Sequence, residues 1–137
     1  MSQHSYPIRP YAEWPHDEQL RWINAGNTFG AHLFQHVRDN AICRIAAETA
    51  LDVEQSKRAV DVTLRTIMDL LDGYYRPTVG ESHLAEYVLL VRIRDADGNA
   101  VETVELAPDG DGLAMGYAGW ERGDFGQDTQ DAEREAA

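Results

Sequence analysis

Basic side chains are scarce in this sequence: 12 Lys and Arg stand against 24 Asp and Glu, a formal net charge of −12 over 137 residues. A chain so poor in positive charge lacks the footprint that releases counterions from nucleic-acid phosphate or an anionic membrane, so direct binding to either is not expected. Cysteine is nearly missing as well. Cys43 alone cannot form an internal disulfide, and the expectation is a reducing, cytoplasmic setting. No apolar run approaches the roughly 18 residues needed to cross a bilayer. Residues 1–15 hold no apolar segment of the secretory-signal kind and carry Pro7, Pro10 and Pro15. Lysine is reduced to Lys57, a bias that GC-rich coding produces without any function. No nucleophile elbow, phosphate loop, dinucleotide fingerprint or internal repeat occurs.

What remains is one domain's worth of chain, 43% hydrophobic and able to build a core. Residues 1–15 read as an extended arm weighted by Tyr6, Tyr11 and Trp14, because proline biases its neighbours away from helix. Residues 16–120 read as a single α+β domain. Residues 121–137, with six acids against Arg122 and Arg134, read as an acidic, disordered tail.

Within the domain, Pro15 opens a short helix that Gly26-Asn27 ends. A second helix is predicted from about Thr28 to Thr49, with Leu33, Phe34, Val37, Ala41 and Ile45 on one face. The third, about Val53 to Asp72, has Asp52 and Gln55 at capping-box spacing and Gly73 as a stop. Val60, Leu64, Ile67, Leu71 and Tyr74 form its inward stripe, and Asp61, Arg65 and Asp69 suit a solvated side. The period then shortens to two. Glu86 to Asp95 and Val101 to Leu106 predict strands joined by the turn 96–99. Pro108 to Gly112 predicts a further turn, and Leu113, Met115 and Tyr117 alternate as a third strand. The expected fold is an antiparallel helical hairpin, plus the short N-terminal helix, packed on a three-stranded antiparallel β-meander. Its open edges suit pairing into a homodimer.

Two groups of residues carry candidate chemistry. His32, His36, Asp39 and Cys43 share one stripe of the second helix, and histidines at i and i+4 reach one metal, zinc or another transition ion. The row from His32 to Cys43 is about 16 Å long, so one ion takes at most His32, His36 and Asp39, with a further ligand such as His83 or Glu86. The run His32-Leu33-Phe34-Gln35-His36 lacks the glutamate a zinc protease requires. A plain polar helix face explains the same row. The second group is aromatic: Tyr74, Tyr75 and Arg76 close the third helix, while Tyr117 and Trp120 follow the strands. Tyr, Trp and Arg anchor interfaces, and they also cap small cores. Asp95-Ala-Asp97-Gly-Asn99 is turn chemistry, since a calcium loop needs its glycine sixth and a glutamate twelfth.

These features favour a non-enzymatic regulatory protein without a cofactor that binds a protein partner. In its specific form it is an acidic inhibitor or mimic that occupies the basic groove of a nucleic-acid-binding protein. The alternative is a metal- or small-molecule-binding protein using His32, His36 and Asp39. An acid–base enzyme drawing on Asp39, His83 and Glu86 stays open, because active sites assemble in space.

Overall fold

The computed structural model describes residues 6–75, 77–106 and 112–136. The chain is α+β, with five helices and one antiparallel strand pair among those residues. Met1 to Ser5 of the arm, Arg76 and the turn expected at 108–111 lie outside them.

Helix α1 spans Glu18–His32, and Asp17 caps it by accepting from Leu20 N at 3.1 Å. Gly26-Asn27 does not end it, contrary to the sequence expectation. The helix runs on through a π-helical turn, Leu33–Arg38, into α2, Asp39–Glu48. Its weak residues are held by tertiary contacts: the Asn27 side chain accepts from Trp120 Nε1 at 3.0 Å. Gly30 faces the same indole so closely that a Cβ there would lie 2.2 Å from the ring. The π turn also re-aims the face. Asp39 N donates to Phe34 O, five residues back, which turns Val37 outward and Arg38 into the core beside Phe34 and Ile42.

Helix α3, Val53–Leu71, follows its local signals. Asp52 and Gln55 form a complete reciprocal capping box, and Gly73, at φ 79°, turns the chain away. Val60, Leu64 and Met68 are buried, whereas Tyr74 is 74% exposed and Ile67 is exposed too. Asp61 is 4% exposed, so the side expected to be solvated turns inward at Asp61, while Arg65 stays exposed as expected. A second helix covers that side.

That helix is α4, Gly112–Glu121, and it replaces the expected third strand. Leu113, Tyr117 and Trp120 are buried at helical spacing, while Met115, read as their strand-mate, is 74% exposed. Its first turn is capped from a distance: the Asp72 carboxylate accepts from Leu113 N at 3.0 Å and Ala114 N at 2.8 Å. The sheet is therefore β1, Leu90–Arg94, paired with β2, Ala100–Glu105, with an irregularity between Ile93 and Arg94. Gly98, at φ 85°, makes the connecting turn, and Asp95 Oδ1 accepts from Asp97 N and Asn99 N, the expected turn chemistry.

The stretch read as a disordered tail holds α5, Gln127–Ala136. Phe125 ahead of it is buried, and Glu133 pairs with Arg9 of the arm at 2.9 Å, so local composition is overridden by docking. In the assembled fold α2 packs on α3, α4 lies against both α1 and α3, and β2 lies along α1. Trp14, Phe34, Met68, Tyr117, Trp120 and Phe125 fill the centre. No helix of the described residues is long and apolar enough to cross a membrane.

Candidate functional site

Three features of the described residues bear on function: a buried polar network, a clamped arm and an exposed apolar stretch. The network grows from the π turn. Arg38 forks onto Asp61 of α3, Nε to Oδ1 at 2.7 Å and Nη2 to Oδ2 at 3.0 Å. Tyr117 of α4 donates to the same Oδ1 at 2.6 Å. The guanidinium also lies 4.5 Å from the Phe34 ring centre and 3.7 Å from Asp39, whose carboxylate accepts from the Tyr6 hydroxyl at 2.6 Å. Burial pushes the Asp61 carboxyl up, but the hydrogen bonds from Arg38 and Tyr117 and the positive charge of Arg38 outweigh it. The net shift is below the ordinary 3.8. Burial, then the Asp39 carboxylate, raises Tyr6 to about 12, and burial with Asp61 raises Tyr117 also. The bonds of Asp61 and Asp39 run to Arg38, Tyr117 and Tyr6, so the network ties arm, π turn, α3 and α4 together.

The arm is fixed along α1 by a second set. Arg21 binds Glu102 of β2 through Nε, at 2.9 Å to Oε2, and through Nη2 to Oε1. Tyr11 donates to Glu102 Oε1 at 2.6 Å, and Trp14 Nε1 donates to Arg9 O at 3.1 Å. The hydrogen bond from Arg21 holds Glu102 at about 2, well below its ordinary 4.5. Glu102 sits opposite Ile93, on the inward face of the hairpin. Arg92 and Arg94 stand opposite Thr103 and Ala100 instead, on the other face.

The residues singled out from sequence separate into these environments. Tyr117 is 0% and Trp120 3% exposed, so neither is a surface anchor; Trp120 fills the space over Gly30 and Gly116, and Tyr117 packs on Phe34. Tyr74 and Tyr75 are exposed and meet edge to face at 5.7 Å. Arg76, expected beside them, is outside the described residues. His32 and His36 are exposed side by side, ring centres 6.0 Å apart, but Asp39 is turned to Tyr6. Among the described residues no group of three His, Cys, Asp or Glu side chains is placed to hold a metal ion. His83 and Glu86 are exposed on the stretch before β1.

That stretch is apolar for a surface: Tyr74, Tyr75, Val79, Leu84, Tyr87, Val88 and Leu90 are all exposed. Along the sequence charge is uneven as well. Residues 95–137 carry twelve Asp and Glu against Arg122 and Arg134, whereas residues 1–94 carry twelve against ten Lys and Arg. Arg21, Arg38, Asp61 and Glu102, the charged groups that tie the elements together, were not evident as such from the sequence. The one available signal was Arg38 in register with Phe34 and Ile42, a cation inside an apolar i, i+4 row. Comparison with protein-family models, curated proteins and solved structures finds no match to this chain.

Proposed function

We propose that this chain is a non-enzymatic binding protein whose acidic C-terminal third meets a basic protein surface, acting as an inhibitor or mimic of a polyanion. The observation that carries the reading is the concentration of charge along the chain: twelve acids against two arginines from residue 95 onward, over an almost balanced remainder, with Glu102, Glu121 and Glu133 of the twelve paired to Arg21, Arg65 and Arg9. An evenly spread charge would argue only for solubility; a concentrated one steers a basic partner to one region. The exposed aromatic and aliphatic side chains from Tyr74 to Leu90 supply apolar contact of the kind interfaces use. The two outer edges of the β1–β2 hairpin offer a second copy a place to pair, which is how a homodimer fits this reading.

The test uses untagged protein immobilised and exposed to lysate of its host. Proteins retained should be basic, should elute with added duplex DNA, and should be lost with the variant carrying Asp131→Lys and Glu135→Lys, two exposed positions of α5. Retention that is indifferent to DNA and to charge reversal would sink the polyanion reading.

A further inference from the structure

Between α1, α4 and α5 lies a cleft of about 360 Å³, lined by Trp22, Gly26, Asn27, Gly116, Trp120 and Thr129 among others. Its size is that of a small-molecule site. The glycines around it differ in what explains them. A Cβ on Gly30 or Gly116 would meet the Trp120 ring at 2.2 or 3.0 Å, so the indole accounts for both. Gly26 has no such neighbour: a Cβ there meets nothing within 4 Å. It stands well inside α1, where glycine is the poorest residue short of proline. The packing of the described residues thus gives no reason for the missing side chain, which leaves space in the cleft.

The polar lining points the same way. The Asn27 carbonyl oxygen is taken by Trp120 Nε1. The Asn27 amide nitrogen, the Trp22 indole N–H and the Thr129 hydroxyl are on lining residues, are not among the buried unpartnered atoms of the described residues, and so stay accessible to a molecule entering from solvent. Two of these three groups are donors only. Donors suit an acceptor on the ligand and disfavour a cation, and the acidic surplus of residues 95–137 disfavours an anion. We propose that this cleft binds an uncharged, flat, mostly apolar molecule that carries a hydrogen-bond acceptor, its plane against the indoles and its acceptor at Asn27 or Trp22. This goes beyond the polyanion reading and uses different residues.

The three tryptophans supply a built-in test. The neutral ketone 2-acetylnaphthalene is titrated into 15N-labelled full-length protein while the indole N–H signals are followed. The Trp22 and Trp120 signals should shift saturably, and that of Trp14, bonded to Arg9 O, should stay in place. Gly26→Leu should weaken binding by about tenfold or more, the scale on which filling or emptying a few methylenes changes an apolar pocket. Gly26→Ala, the milder change, should give a smaller loss and covers the case in which Leu disturbs the fold. The Asp131→Lys and Glu135→Lys variant should bind the ketone like the parent, which keeps this test apart from the polyanion one. A non-saturating shift, or equal movement of Trp14, would overturn the proposal. So would equal binding by parent and both Gly26 variants.

Discussion

The residue with the most consequence is Asp61. It is the one carboxylate that Arg38 and Tyr117 share, in a place where side chains of both ion-pair partners are about nine-tenths buried or more. Removing one partner of a buried pair leaves the other charge without compensation, whereas removing both need cost little. Asp61→Asn should therefore lower the unfolding free energy by about 3 kcal/mol or more. Adding Arg38→Met to Asp61→Asn should cost much less than the two single losses combined, as measured by urea denaturation in a double-mutant cycle. A strictly additive result would mean that the guanidinium finds other partners. Acid sensitivity follows from the same groups. Asp61 and Glu102 both titrate below their ordinary 3.8 and 4.5, so the folded state binds fewer protons there than the unfolded chain. Their stabilisation is complete above those values and is lost as the pH falls from about 4.5 through about 2. Circular dichroism at fixed temperature should show that loss, and Glu102→Gln should flatten it. At the alkaline end Tyr6 and Tyr117 should keep their protons beyond pH 10, seen as delayed tyrosinate absorbance.

At the scale of elements, Gly26 and Gly30 make a matched pair on α1. Alanine at 26 restricts the unfolded chain and meets no neighbour, so it should stabilise by about 0.5–1 kcal/mol. Alanine at 30 would drive a methyl group into the Trp120 ring and should destabilise by about 1–3 kcal/mol despite the better helix propensity. Thermal melts of the two variants, with opposite shifts expected, decide the matter. The elements also divide by how far away their determinants lie. Helix α3 and the β1–β2 hairpin were readable because Asp52, Gln55, Gly73, Asp95 and Gly98 act within a few residues of themselves. Helix α4 was not, since its cap is Asp72 and its Gly116 is explained by the Trp120 ring packed on it. The union of α1 and α2 was hidden for a similar reason: Gly26-Asn27 is a stop signal locally, overruled by the indole of Trp120. The metal row of His32, His36 and Asp39 assumed an unbroken 3.6-residue period, and the π turn falls within it. Tyr117 and Trp120 were visible as important residues, but their burial depended on a helix that the alternation of Leu113, Met115 and Tyr117 disguised.

For the molecule as a whole, charge dominates. A net charge of −12, with ten of those negative charges in excess from residue 95 on, makes the compact state repel itself at low salt. Raising the ionic strength from about 0.01 M to about 0.15 M shortens the Debye length from about 30 to about 8 Å. The melting temperature should rise over that range. A fall would mean that ion pairs such as Arg9–Glu133 and Arg21–Glu102 outweigh the repulsion. The bond from Asp72 to the start of α4 has a further consequence, which concerns the order of events in time. Helix α3 carries its own start signal and can form as soon as residues 52–72 exist. Helix α4 contains Gly112, Gly116 and Gly119, has its cap across a separation of 41 residues, and gains that cap only once the end of α3 is in place. Closing that loop comes before any reward from the contact. Helix α4 is thereby expected to form after α3, an order that pulse-labelling hydrogen exchange of Leu113 and Ala114 against the α3 amides would check.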